Sequence, residues 1–171
     1  MDPATSGAHP TAPLVTGELL VRGPAVFAGY HDDPGATAAA FHGEWLRTGD
    51  LATRDSQGYY RIVDRLSNMY ISGGENVAPA QVEAVLRAHP QVADAAVVGV
   101  PDARWGEVGH AVVIPADIEQ PPAAEDLIAH CRAHLAAFKI PRTVRFVPEF
   151  PRTALHKVRR DALLPRTEEN R

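Results

Sequence analysis

A single cysteine, Cys131, stands in the 171 residues. That excludes an internal disulfide framework and any multi-cysteine zinc or iron–sulfur site. No apolar run approaches the roughly 18–20 residues a membrane-crossing helix needs. The N-terminal MDPATSGAHPTAP has neither a basic start nor an apolar stretch. No secretion signal is therefore expected, and the expectation is a soluble cytoplasmic protein. Lysine is scarce: of 17 basic side chains 15 are arginine, and only Lys139 and Lys157 are lysine. Positive charge is also scarce overall. A net charge of −4 gives no support for nucleic-acid binding.

What is present is ordinary globular material. Hydrophobic residues make up 45% and charged residues 22%, which excludes wholesale disorder. The length allows one domain, or one small domain plus a piece of another. Charge is unevenly placed. Residues 1–64 carry a net of −4, residues 65–131 a net of −6 and residues 132–171 a net of +6. The basic end reads either as a solvated face or as a local anion site. Twenty-eight alanines and the arginine excess mark a biased composition, against which a retained lysine suits a site that needs a compact ammonium.

Hydrophobic spacing divides the chain. Residues 1–16 lack periodicity and read as a mobile arm, and 166–171 as a tail. Residues 17–22, 45–52 and 58–63 read as strands, with a Pro-led short helix at 34–41 and a turn at 54–58. This β-rich piece has too little apolar mass to close a large core alone. After Asp64 the pattern changes. Strands are expected at 69–72, 92–100, 108–114 and 143–147. Helices are expected at 79–89, 123–138 and 158–164. The segment 73–76 reads as a loop. Two principal helices on a small mixed sheet make an α+β domain of about 100 residues.

Several residues have chemistry to offer. Ser72-Gly73-Gly74-Glu75-Asn76 combines adjacent glycines with a following helix, a structural turn or a place for a ligand to approach the backbone. Asp50, after Thr48-Gly49, is either a turn residue or an acceptor for two adjacent hydroxyls. Arg65 either pairs with Asp64 or clamps a phosphate or ribose. Lys157 follows a Pro-led turn and precedes basic residues. His130 and His134 lie four apart on a helix without an evident third ligand, so no metal is expected. Cys131 falls on the apolar stripe with Leu127 and Leu135 and reads as core. Trp45, Tyr59 and Tyr60 read as packing residues.

In order, the runs GELLVRGPAVFAGY, WLRTGD, GYYRIVDR, ISGGENVAPAQVE, LAAFKIPR and PRTALHK resemble the AMP-forming adenylating enzymes. That family includes acyl-CoA synthetases, peptide-synthetase adenylation domains and luciferases. The resemblance covers about residues 17–165. It implies that 17–64 is the β-rich tail of a large AMP-binding domain, 65–69 a hinge and 70–165 a small mobile α+β domain. It implies that Asp50 and Arg65 bind the ribose of the adenylate and that Asn68 lies in the hinge. Lys157 would bridge the acyl carboxylate and the phosphate, offsetting charge that develops in the transition state. Ser72, Gly73 and Gly74 would line the path of CoA, and Trp105 would stack near it. Lys139 and the basic end would attract CoA phosphates, and Lys139 reads equally as a pocket-lining residue or as a plain surface one. ATP with Mg2+ and CoA would be substrates, with a carboxylic acid, fatty or aromatic. No bound cofactor, nucleic-acid partner or transmembrane segment is implied.

The chain departs from the family pattern in three respects. His156 stands where the family usually has Gly, and Asn68 replaces the usual hinge acid or Lys. The family's phosphate loop does not occur in the chain, nor do the acyl pocket and the adenine-binding segments. A large-domain partner, in the same chain or in trans, is therefore expected. Two alternatives stay open: a carrier-protein-loading adenylation domain, and a non-catalytic module that kept the small-domain fold.

Overall fold

The computed structural model describes residues 15–165. Most of the expected arm and the whole expected tail lie outside the described residues. The chain separates into two units, divided between Ser67 and Asn68.

The first unit is built on one long strand. The elements are β1 (Gly17–Val21), α1 (Pro34–Ala40), β2 (Phe41–His42), β3 (Trp45–Arg54) and β4 (Tyr60–Arg65). All three other strands pair antiparallel with β3. Asp33 caps α1 by accepting from the Ala36 N–H at 2.8 Å, and Pro34 takes the first helical position, where no N–H is needed. Asp55 accepts from the Gln57 and Tyr59 N–H groups and so closes the β3–β4 turn. Among the described residues of this unit the buried hydrophobics are Leu51 and Ala52. Tyr59 and Tyr60, expected to pack, are instead exposed, Tyr59 by 71%. The short strands around them supply no second layer to bury them.

The second unit comprises β5 (Tyr70–Ser72), β6 (Glu75–Val77), α2 (Pro79–Arg87), β7 (Val92–Asp102), β8 (Gly106–Pro115), α3 (Ala124–His134) and β9 (Thr143–Phe146). The sheet runs β6-β5-β8-β7, with β9 parallel to β8. Strands β7 and β8 bury both faces, which is why their sequence reads as nearly unbroken Ala and Val rather than as alternation. Ala95, Val97, Ala111 and Val113 pack with Leu86 of α2 and with Leu127 and Cys131 of α3. Ala96, Val98 and Val112 face the other way, under Phe150 and Leu163. The C-terminal segment is thus a strap across the second face. The architecture is α+β: a β-rich piece followed by a small α+β domain.

Three local expectations change. Helix α3 ends at His134 rather than 138, because Leu135 is extended (φ −128°). The chain then turns through a 3-10 segment, Ala137–Lys139, that brings Phe138 and Ile140 onto the same core. Pro141 opposes helix at the residue before it. The last helix is a single 3-10 turn, Arg160–Leu163, because Val158 is committed to a bridge with Arg152. The loop at 73–76 is a tight hairpin: Gly73 and Gly74 take φ of +61° and +85°, which suits a two-residue turn, and Glu75 and Asn76 begin β6.

Candidate functional site

In the first unit the geometry around Asp50 comes from an irregular stretch of β3. Gly49 has φ +71°, a conformation that L side chains resist. The register of β3 slips against both β1 and β4 near this point. The Thr48 hydroxyl donates to the Leu19 carbonyl (2.8 Å) and accepts from the Asp50 N–H (3.0 Å). Such a bulge re-aims a side chain. Asp50 is the register partner of Arg65 on β4, and its carboxylate lies 2.9 Å from Arg65 Nε. The two residues singled out from separate motifs therefore meet.

In the second unit the Gly73–Gly74 hairpin lies against Trp105. The Gly73 N–H donates to the Trp105 carbonyl at 2.9 Å. A Cβ on Gly73 would come 2.8 Å from the indole ring, so only glycine fits there. Trp105 is presented by the β7–β8 turn, where Asp102 accepts from the Arg104 and Trp105 N–H groups, both at 2.9 Å. Those hydrogen bonds, Trp105's first, hold the Asp102 carboxyl below its usual range. Ser72 and Trp105 border a cavity of about 510 Å³, with Phe138, Arg132 and Arg142 among its other walls. Guanidinium groups flank the indole: Arg104 at 5.0 Å and Arg142 at 5.9 Å from the ring centroid. Arg132, Phe138 and Arg142 were not singled out from sequence. Their signal lay in the run LAAFKIPR and in the basic C-terminal segment. Lys139 does not line this cavity; its ammonium donates to Gln81 Oε1 at 2.8 Å.

Lys157 stands on a separate loop of the same unit. Arg152 and Val158 form the bridge at its base. Above it the Thr153 N–H donates to the Lys157 carbonyl (2.8 Å), and the His156 N–H donates to the Thr153 carbonyl (2.9 Å). The Lys157 N–H donates to Thr153 Oγ1 at 3.2 Å. His156 takes φ +59°, the conformation for which glycine is favoured. The three arginines of the strap all have acceptors. Arg152 donates to the His156 carbonyl, Arg159 to Asp161 and Arg160 to Glu83. The exposed ammonium of Lys157 has no such acceptor among the described residues.

Elsewhere, His130 engages the Val85 carbonyl and His134 the His130 carbonyl. Cys131 is fully buried, and burial pushes its thiol up to about 11. Asn68 closes a 3-10 turn, Leu66–Asn68, and is the first residue of the second unit.

Residues 81–157 match the model of the AMP-binding enzyme C-terminal domain. The chain is a C-terminal portion of a member of the AMP-forming acyl-CoA synthetase family. A feruloyl-CoA synthase from Amycolatopsis sp is 47% identical over 150 residues, covering 88% of this chain and 30% of that protein. A 2-succinylbenzoate–CoA ligase from Bacillus velezensis is 44% identical over 155 residues, covering 91% and 31%. Among solved structures, o-succinylbenzoate CoA synthetase from Bacillus subtilis, in complex with its acyl-adenylate intermediate, superposes with a TM-score of 0.81 at 39% identity. It covers 92% of this chain and 32% of that one. The amide bond synthetase McbA from Marinactinospora thermotolerans gives 0.83 at 41%, covering 90% and 31%. The chain thus spans about 30% of the length of the curated relatives it matches. No helix among the described residues is long and apolar enough to cross a membrane.

Proposed function

We propose that the chain is the lysine-bearing end of an acid–CoA ligase. Such an enzyme activates a carboxylate with Mg·ATP, releases pyrophosphate and transfers the acyl group from AMP to the thiol of CoA. The carrying observation is the Lys157 loop: an ordered, exposed turn on which one ammonium is left without a partner while its arginine neighbours are engaged. A compact cation on a flexible stem suits a phosphate oxygen and a carboxylate at once. Negative charge grows there as the carboxylate attacks the α-phosphorus and pyrophosphate leaves, so a fixed positive group lowers the barrier.

The other residues take consistent parts in this reading. Asp50 accepts from the ribose hydroxyls and Arg65 contacts the same sugar. The Gly73–Gly74 turn leaves room for the pantetheine arm, and Trp105 between its arginines offers a stacking face beside cationic groups. Residues 65–69, with Asn68, form the hinge between the large domain and the small one. The acid carries a ring, aromatic or alicyclic, rather than a long alkyl chain in this reading, because relatives are named for feruloyl, 2-succinylbenzoate and methyl-dioxo-octahydroindenyl-propanoyl groups.

The test uses the complete enzyme that carries this chain. Pyrophosphate release is followed with ferulate, 2-succinylbenzoate and a long-chain fatty acid, and thioester formation with preformed acyl-adenylate. Lys157→Ala is expected to lower adenylation by roughly 10²–10³ and to spare the thioester step. Equal loss in both half-reactions would overturn the role given to Lys157. Inactivity of the complete enzyme with every acid would favour a non-catalytic module.

A further inference from the structure

The Lys157 loop is gripped from both ends by one line of charged side chains. Glu83 lies on α2 with its side chain only 5% exposed. Its Oε1 accepts from the Val97 N–H (2.9 Å) and from Arg160 Nη1 (2.8 Å). Its Oε2 accepts from Arg87 Nη2 at 3.2 Å. Arg160 Nη1 also donates to the Val97 carbonyl at 2.7 Å, so the strap is tied to helix and sheet at one point. Arg87 continues the line: its Nε donates to Asp94 Oδ1 at 2.8 Å. The other oxygen of Asp94 lies 3.9 Å from Arg152 Nη2. Arg152 Nη1 donates to the His156 carbonyl at 2.9 Å, one peptide before Lys157. The line Arg152–Asp94–Arg87–Glu83–Arg160 thus leaves the body of the unit and returns to it on either side of Lys157.

We propose that Glu83, acting through Arg160 and Arg87, is a positioning residue for Lys157. The apolar anchors Phe150, Val158 and Leu163 settle where the strap lies on the sheet. They leave the loop itself without apolar support, since Leu155 at its tip is 79% exposed. A buried carboxylate is costly unless several donors meet it, and replacing such a pair by apolar residues is often no loss to stability. What directional hydrogen bonds to guanidinium groups add is a defined geometry. Here the geometry defined is that of the segment presenting the ammonium.

This inference rests on the reading of Lys157 as the adenylation cation, and its test separates the two. In the complete enzyme, Glu83→Gln and Arg160→Gln are expected to speed amide hydrogen exchange at residues 153–158 by at least about tenfold. They are expected to lower the adenylation kcat by about 10–100-fold, as for a small misplacement of a reacting group. KM for ATP and the rate of thioester formation from preformed adenylate should stay within about threefold, and Arg160→Lys should restore most of kcat. Unchanged exchange with unchanged kcat would overturn the proposal, as would equal loss in both half-reactions. If Glu83→Gln does not fold, Arg152→Gln loosens the same loop from its exposed end and carries the same expectations. A Lys157→Ala enzyme that adenylates normally sinks the catalytic reading, and with it the catalytic half of this inference. The exchange data then decide the tether alone.

Discussion

Arg65 Nε sits 2.9 Å from the carboxylate of Asp50, and the two residues are register partners on neighbouring strands. Both side chains are partly exposed, so the pair contributes at most about 1 kcal/mol to stability. Its value lies in holding an acceptor and a donor side by side. In the complete enzyme, Asp50→Ala is expected to weaken ATP binding by about tenfold or more, as for lost hydrogen bonds to a ribose. The melting temperature should hardly move. Calorimetric titration with ATP, beside a thermal melt, reads both quantities. Undiminished ATP affinity would remove Asp50 from the nucleotide site.

His156 occupies a left-handed conformation that costs an L-residue about 1–2 kcal/mol. Glycine removes that strain but enlarges the entropy of the unfolded chain, worth about 0.4–1 kcal/mol in the other direction. The expected net effect of His156→Gly is a gain of up to about 1.5 kcal/mol. His156→Val, β-branched, should instead destabilise. Urea midpoints of the three proteins give the order directly, and a glycine variant less stable than the histidine parent would contradict it.

Tyr70 lies flat on a slot made by two paired glycines, Gly99 and Gly109. A Cβ on Gly99 would collide with the Tyr70 Cβ. One on Gly109 would come 2.6 Å from the phenol oxygen. Gly99→Ala is expected to cost about 1–3 kcal/mol, because the obstructing atom is next to the backbone and has nowhere to go. Gly109→Ala should cost a similar amount in the parent and distinctly less in a Tyr70→Phe background, where the obstructing oxygen is gone. The phenol oxygen is buried and meets no protein partner among the described residues, so Tyr70→Phe alone should be close to neutral. Additive costs in the double-mutant cycle would refute the proposed contact.

Two buried groups bound the pH range of the second unit. Burial raises the Cys131 thiol from 9.0 to about 11, so the unfolded chain loses its proton first. Stability is then held up to about pH 9 and falls as pH rises to about 11, by up to about 1.4 kcal/mol per unit. His110 is displaced the other way, lowered by burial and then by Arg145. The unfolded chain takes up that proton first, so stability falls as pH drops below about 6.5. Denaturant midpoints across pH 5–11 should show both limbs. Cys131→Ala should flatten the alkaline limb between about pH 9 and 10, above which the phenol of Tyr70, also raised by burial, continues it, and His110→Asn should flatten the acid one.

Legibility from sequence followed the range of the interaction. Strands β7 and β8 and the helix α2 are local matters of composition and period, and they lie where the pattern placed them. Helix α3 overshot because Phe138 and Ile140 continue the apolar spacing after Leu135 has left the helix. Apolar period alone does not report such a change of backbone. Asp50 and Arg65 were chosen from separate motifs, and only the hairpin between them made them neighbours. Glu83 and Arg160 stand 77 residues apart, and no spacing rule connects them. Histidine does not itself mark the left-handed backbone at His156, and only the glycine that the resembled family usually has at that place pointed to it.

The strap that presents Lys157 is also the lid of the second core, through Phe150, Val158 and Leu163. Each such side chain, when fully buried, is worth about 1.5–3 kcal/mol. Proteolytic clipping or a premature stop after residue 147 would therefore remove Lys157 and uncover Ala96, Val98 and Val112 in one event. A shortened product would not persist as a well-folded protein. It would enter the pool that cellular quality control removes, so that intactness of the fold certifies the presence of the lysine.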